Sequence, residues 1–87
     1  MLDLNGKVAL IMGCGAVAEG WGNGRATAML MARQGARVFG TDLHLAHAMR
    51  TRELIAAEGF DADVLACDST SAEQVERAVQ ACLSRHG

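Results

Sequence analysis

Twelve residues, Gly13 to Gly24, carry the densest chemical signal in this 87-residue chain and hold five of its ten glycines. They read Gly-Cys-Gly-Ala-Val-Ala-Glu-Gly-Trp-Gly-Asn-Gly. Glycine lets the backbone take positive φ and lets another group approach where a Cβ would stand. The apolar run Val8–Met12 precedes this stretch and a helical pattern from Arg25 to Ala32 follows it. Strand, glycine loop and helix in that order build an anion cradle, because the helix start presents unpaired N–H groups and a positive dipole end. The arrangement reads as a pyrophosphate site, with a tight turn at Gly13 and an excursion through Ala16–Trp21. Gly22 and Gly24 are where helix and ligand should approach closely. Gly13, Gly15, Trp21, Gly22, Asn23 and Gly24 are therefore the candidate cofactor contacts of the loop.

Two acidic residues stand where strands should end. Asp42 closes the run Ala36–Thr41 and lies 18 residues after Gly24. That is close to the spacing of about 20 residues at which a carboxylate takes both hydroxyls of an adenosine ribose. It would also repel a 2′-phosphate, and its neighbour Leu43 cannot neutralise one, so NAD is expected over NADP. Asp42 could instead cap the next helix. Asp68, followed by Ser69, ends the run Ala62–Cys67 and could face the adenine amino group or cap a turn. His44 and His47, three apart, could bring two imidazoles together as metal ligands, but no further ligand is near in sequence, and exposed histidines are the plainer reading. Cys14 reads as a small space-filling residue of the loop.

The elements that must position these groups follow from hydrophobic period. Val8–Met12 is apolar on both faces, as in a covered parallel sheet. A first helix starts at Asn23 or Gly24, with Ala26, Met29, Leu30 and Arg33 at helical spacing and Gly35 as its stop. A second, Leu45–Glu58, carries an apolar stripe of Leu45, Ala48, Met49, Leu54, Ile55 and Ala56, and Gly59 stops it. Thr70-Ser71-Ala72-Glu73 has the form of a capping box, in which Thr70 would bond the Glu73 N–H. The helix it opens should run to about Ser84, with Val75, Ala78, Val79, Cys82 and Leu83 inward.

Composition narrows the class. About half the residues are apolar and the net charge is −2, which fits one small globular domain without a nucleic-acid or membrane-binding basic face. Three cysteines without CxxC spacing suggest reduced thiols and a cytoplasmic setting. No apolar stretch is long enough to span a bilayer, and no signal-peptide pattern opens the chain.

Several segments together resemble the short-chain dehydrogenase/reductases. They are Leu4–Ile11, Gly24-Arg25-Ala26-Thr27-Ala28, Ala32–Val38 with Asp42, and Leu65-Ala66-Cys67-Asp68. The resemblance implies a partial Rossmann-like α/β three-layer sandwich, β-α-β-α-β-α, with parallel strands in the order 3-2-1. It also implies hydride transfer between a nicotinamide cofactor and an alcohol or carbonyl substrate. The family's usual loop is Thr-Gly-x-x-x-Gly-x-Gly; here Met12 replaces the Thr and the loop after Gly13 is five residues longer. The family's catalytic Ser and Tyr-x-x-x-Lys pair have no counterpart: the chain has no tyrosine, and Lys7 is its one lysine. Residues 1–87 are thus expected to be the N-terminal part of one such domain, inactive alone. Val8–Met12 would then be left as an open edge prone to self-association or to pairing with a partner chain. A non-catalytic nucleotide-binding or interaction module, or a fragment of an S-adenosylmethionine-dependent methyltransferase, are the competing readings.

Overall fold

The computed structural model describes residues 4–15 and 22–86. The elements are β1 (Val8–Met12), α1 (Asn23–Arg33), β2 (Arg37–Asp42), α2 (Leu45–Ala57), β3 (Ala62–Ala66) and α3 (Ala72–His86). The strands form one parallel sheet in the order β1-β2-β3, which is the expected 3-2-1 read from the other edge. Register sets Ile11 beside Gly40 and Gly40 beside Val64. Side chains alternate across a strand, so Ile11, Val38, Ala62 and Val64 share one face. There they pack with Ala28, Met29 and Ala32 of α1 and Ala48 and Ile55 of α2. The opposite face carries Phe39 and Asp63. Arg85 of α3 reaches Asp63 at 3.2 Å, which places α3 on that side and completes three layers.

The helix frames differ from the sequence-based expectation. In α1 the buried residues are Arg25, Ala28, Met29 and Ala32; Ala26 and Arg33 are exposed, and Leu30 is 55% exposed. In α2 they are Ala48, Thr51 and Ile55, whereas Leu45, Met49 and Ala56 face outward. Each stripe is turned because a polar residue takes a core position: Arg25 and Thr51 hydrogen-bond each other between the two helices. On α3, Ala78 and Cys82 are buried as expected, but Leu83 is exposed.

The cap of α3 is also one residue later than Thr70-x-x-Glu73. Ser71 is the N-cap: its carbonyl accepts from Val75 N at 2.9 Å and its Oγ from Gln74 N at 3.3 Å. Asp68 takes both the amide and the hydroxyl of Thr70, at 2.9 and 2.7 Å, which ties Thr70 to the preceding turn rather than to the helix. Glu73 is drawn to Arg77 one turn on. The stops at Gly35 and Gly59 stand as expected, each at positive φ just past a helix end. β1 lies at one edge of the sheet, with Val8 42% exposed.

Candidate functional site

The site lies where β1, β2 and β3 end. Gly13 follows β1 with φ +74°, a left-handed turn, and among the described residues a Cβ there would meet nothing within 4 Å. Cys14 then turns back and donates its N–H to Thr41 O at 2.7 Å, carrying the β1–β2 ladder one step beyond Met12. Its side chain is fully buried in the core on the α1/α2 face. Opposite it stands Gly40, where a Cβ would come 2.6 Å from Cys14 Sγ. Space filling is thus its role, as expected. Burial first, and then the nearby Asp42 charge, push its thiol up to about 11.

Gly24 lies in the first turn of α1, beside the Gly13 turn. A Cβ there would stand 1.7 Å from Gly13 O. The absent Cβ thus lets the start of α1 lie against the end of β1, backbone on backbone. Gly22 is the N-cap of α1 and supplies no side-chain bond, and the first turn has no acidic residue. The first intrahelical amide is Ala26 N, bonded to Gly22 O at 3.0 Å. The amides of Asn23, Gly24 and Arg25 precede it and form the positive end of the helix. The Gly13 turn thus stands beside a helix start that carries no acid in its first turn, a setting that favours an anion. Trp21 and the rest of the Ala16–Trp21 excursion lie outside the described residues.

Asp42, the last residue of β2, holds its carboxylate at this mouth. Oδ1 accepts from Gly15 N at 3.3 Å and Oδ2 from His44 N at 3.0 Å. His47 Nδ1 is 4.0 Å from Oδ2, and the carboxylate side chain is only 16% exposed. Each carboxylate oxygen has capacity for a second donor. The His44 and His47 rings meet edge to face at 5.1 Å. Gly15 is pressed against α2, where a Cβ would sit 2.6 Å from His47 Cβ. Leu43, beside Asp42, is 61% exposed.

The Asp68 end joins the same sheet edge, because Cys67 N bonds Asp42 O at 2.8 Å. Asp68 serves the turn: Oδ1 accepts twice from Thr70 and its own amide donates to Gln74 Oε1 at 2.9 Å. Those Thr70 bonds hold its carboxyl below the usual carboxylate range. Ser69 is exposed in that turn.

Sequence reasoning missed Arg25 and Thr51 as parts of this end. Arg25 is 1% exposed. Its Nε donates to Thr51 Oγ1 at 2.8 Å, and one terminal nitrogen to His47 O at 3.2 Å. Thr51 Oγ1 in turn donates to Cys14 O at 2.8 Å. The signal was spacing: residues 25, 28, 29 and 32, and residues 48, 51 and 55, each trace one face of a helix. Among the described residues there is no cluster of three or more metal-ligating side chains.

Comparison with known proteins adds the relatives. A family model described as enoyl-(acyl carrier protein) reductase matches residues 16–87. The chain is 35% identical over 83 residues to a cyclohexanol dehydrogenase of Acinetobacter sp. (strain SE19), covering 95% of this chain and 31% of that protein. A short-chain dehydrogenase/reductase structure from Burkholderia xenovorans superposes with a TM-score of 0.91 at 44% identity, covering 97% of this chain and 33% of the other. One from Burkholderia phymatum, in complex with NAD, gives 0.87 at 30% identity over 100% of this chain and 29% of the other. A metagenomic short-chain oxidoreductase in complex with NADP gives 0.85 at 28% identity, covering 97% and 36%. The chain thus spans about one third of the length of these relatives. With the family model matched over most of its length, the chain belongs to the short-chain dehydrogenase/reductase family.

Proposed function

We propose that this chain forms the adenosine side of a dinucleotide site, and that the site prefers NAD to NADP. The observation that carries the reading is the Asp42 carboxylate, fixed at the mouth of the sheet by the Gly15 and His44 amides. Held so, it offers its remaining lone pairs to the two ribose hydroxyls, whereas a 2′-phosphate would bring like charge against it. The Gly13 turn and the amides of Asn23 and Gly24 receive the pyrophosphate. Leu43 lies along the adenine, and the Asp68–Ser69 turn borders it. Gly22 and Gly15 complete the lining of the loop, and Trp21 is carried as a contact by its place in the sequence alone.

In a longer protein this segment would serve hydride transfer between the nicotinamide and an alcohol or carbonyl substrate. The cofactor supplies the hydride chemistry; these residues bind and orient its adenosine end. The tyrosine acid/base that the family resemblance implies has no counterpart within these 87 residues, which contain no tyrosine. The β1 edge is where a further strand would pair, from this chain or another, which sedimentation of the 87-residue chain would reveal as self-association.

The reading is tested by titrating the folded chain with NADH while following Trp21, its one tryptophan. Saturable quenching is expected, weakened about tenfold or more in Asp42→Ala, the loss of charge-assisted hydrogen bonds to the ribose. Unchanged fluorescence and no heat of binding from a folded chain would overturn it.

A further inference from the structure

The glycine turn is tied to the protein interior by one buried hydroxyl. Thr51 Oγ has one proton and accepts one strong bond, and both are used: Arg25 Nε donates to it at 2.8 Å and it donates to Cys14 O at 2.8 Å. A second acceptor, His47 O, lies farther away at 3.3 Å. Because Arg25 can only donate, its bond leaves the hydroxyl proton for a carbonyl, and Cys14 O is the nearer of the two. Arg25 also holds His47 O at 3.2 Å. The pair therefore spans α1, α2 and the turn after β1. Cys14 is followed at once by Gly15, whose amide holds the Asp42 carboxylate.

We propose that Thr51 and Arg25 are positioning residues for the dinucleotide site: through the Cys14 carbonyl they fix the peptide whose Gly15 N–H aims Asp42. Neither side chain reaches the ligand in this account. Their action is to keep the carbonyl of Cys14 inward and the Gly15 amide outward, an orientation that Gly13 and Gly15, lacking side chains, do not impose themselves. This inference rests on the adenosine-site reading above.

Thr51→Val, nearly the same shape without the hydroxyl, is the direct test in the full chain. Two readouts are needed. The first is NADH affinity by calorimetry, well below the melting temperature. The second is amide hydrogen exchange at Cys14 and Gly15, which needs no ligand. Thr51→Val is expected to weaken NADH binding and to speed exchange at those two amides, each about tenfold or more, as expected when a buried hydroxyl that bonds both Arg25 and the Cys14 carbonyl is removed. Exchange in α3 should be unchanged, and Thr51→Ser should restore both readouts. Ile55→Val, one turn along the same buried stripe, lowers stability without touching the turn and should leave both alone. If Thr51→Val does not fold, Arg25→Lys takes its place, since one ammonium lacks the fork that serves Thr51 and His47 O together. Wild-type affinity and exchange in the variant, or an equal loss in Ile55→Val, would overturn the proposal. A folded wild type that binds no NADH overturns the adenosine-site reading instead. In that case faster exchange in Thr51→Val would still establish that the pair holds the turn, and unchanged exchange would refute it.

Discussion

Asp42 and Asp68 occupy equivalent places, each at or just past the C-terminal end of a parallel strand, yet they are held in opposite ways. Asp42 is fastened by an amide 27 residues away, in the glycine turn, and by His44 beside it. Asp68 is fastened by Thr70, two residues on. One carboxylate is part of the tertiary structure and the other part of a local turn. The difference teaches that an acidic residue after a strand is held by the tertiary structure only when a second segment reaches it. At Asp42 the second segment arrives because three glycines leave room for close approach: Gly24 to the Gly13 backbone, Gly15 to His47 of α2, and Gly40 to the Cys14 side chain.

The most forceful way to break the comparison is Gly24→Ala. A methyl placed 1.7 Å from Gly13 O must push α1 off the turn. Overpacking against backbone should cost about 3 kcal/mol or more, enough to unfold a small domain. Urea or thermal unfolding would show it. Gly40→Ala is milder, because its added methyl meets a side chain, Cys14 Sγ, at 2.6 Å. A loss of about 1–3 kcal/mol is expected, partly recovered by adding Cys14→Gly in a double-mutant cycle.

Asp42→Ala against Asp68→Ala sharpens the comparison at the level of binding. The first should cost NADH about 1.4 kcal/mol or more, tenfold in Kd, and the second markedly less, because Asp68 is already spent on its turn. Equal losses would mean that local and tertiary fastening matter alike.

The two ends should also respond to opposite extremes of pH. Cys14 is raised to about 11 in the folded state. Between its ordinary value near 9 and that value the folded chain keeps a proton that the unfolded chain has lost. Its contribution is therefore complete below pH 9 and is lost as pH rises toward 11. Melting temperature should fall across that window and fall less in Cys14→Ala. Asp68 has the reverse sign: its carboxyl is held low by Thr70. Its contribution is present above the usual carboxylate range and disappears as pH falls through the depressed value. Thr70→Val should raise the Asp68 midpoint in an NMR titration. The smallest effect expected is from Arg33→Ala. The Arg33–Glu58 pair is exposed on both sides, and its removal should leave the melting temperature within error.

Much of this was legible in the residues. β1 spans Val8–Met12 as its unbroken apolar run predicts, and the helix stops fall at Gly35 and Gly59 because positive φ is cheap only there. The positions of Gly13 and Asp42 followed from the order strand, glycine turn, helix, strand, acid. The frames of α1 and α2 did not. A hydropathy stripe prefers Leu30 and Met49, but Arg25 and Thr51 satisfy each other in the interior and rotate both helices. Two polar residues can be buried together more cheaply than either alone, and no one-dimensional pattern displays that pairing across 26 residues. The α3 cap lies one residue later for a similar reason, since Thr70 is turned toward Asp68 and Ser71 bonds the first turn instead.

The most direct test of the central claim is calorimetric titration of the folded chain with NADH and with NADPH, on wild type and Asp42→Ala. NADH should bind at least about tenfold tighter than NADPH to wild type, as expected of a carboxylate facing a 2′-phosphate, and the substitution should erase that gap. Equal affinity for the two cofactors in wild type, or a preference that survives Asp42→Ala, would contradict the assignment of Asp42 to the ribose.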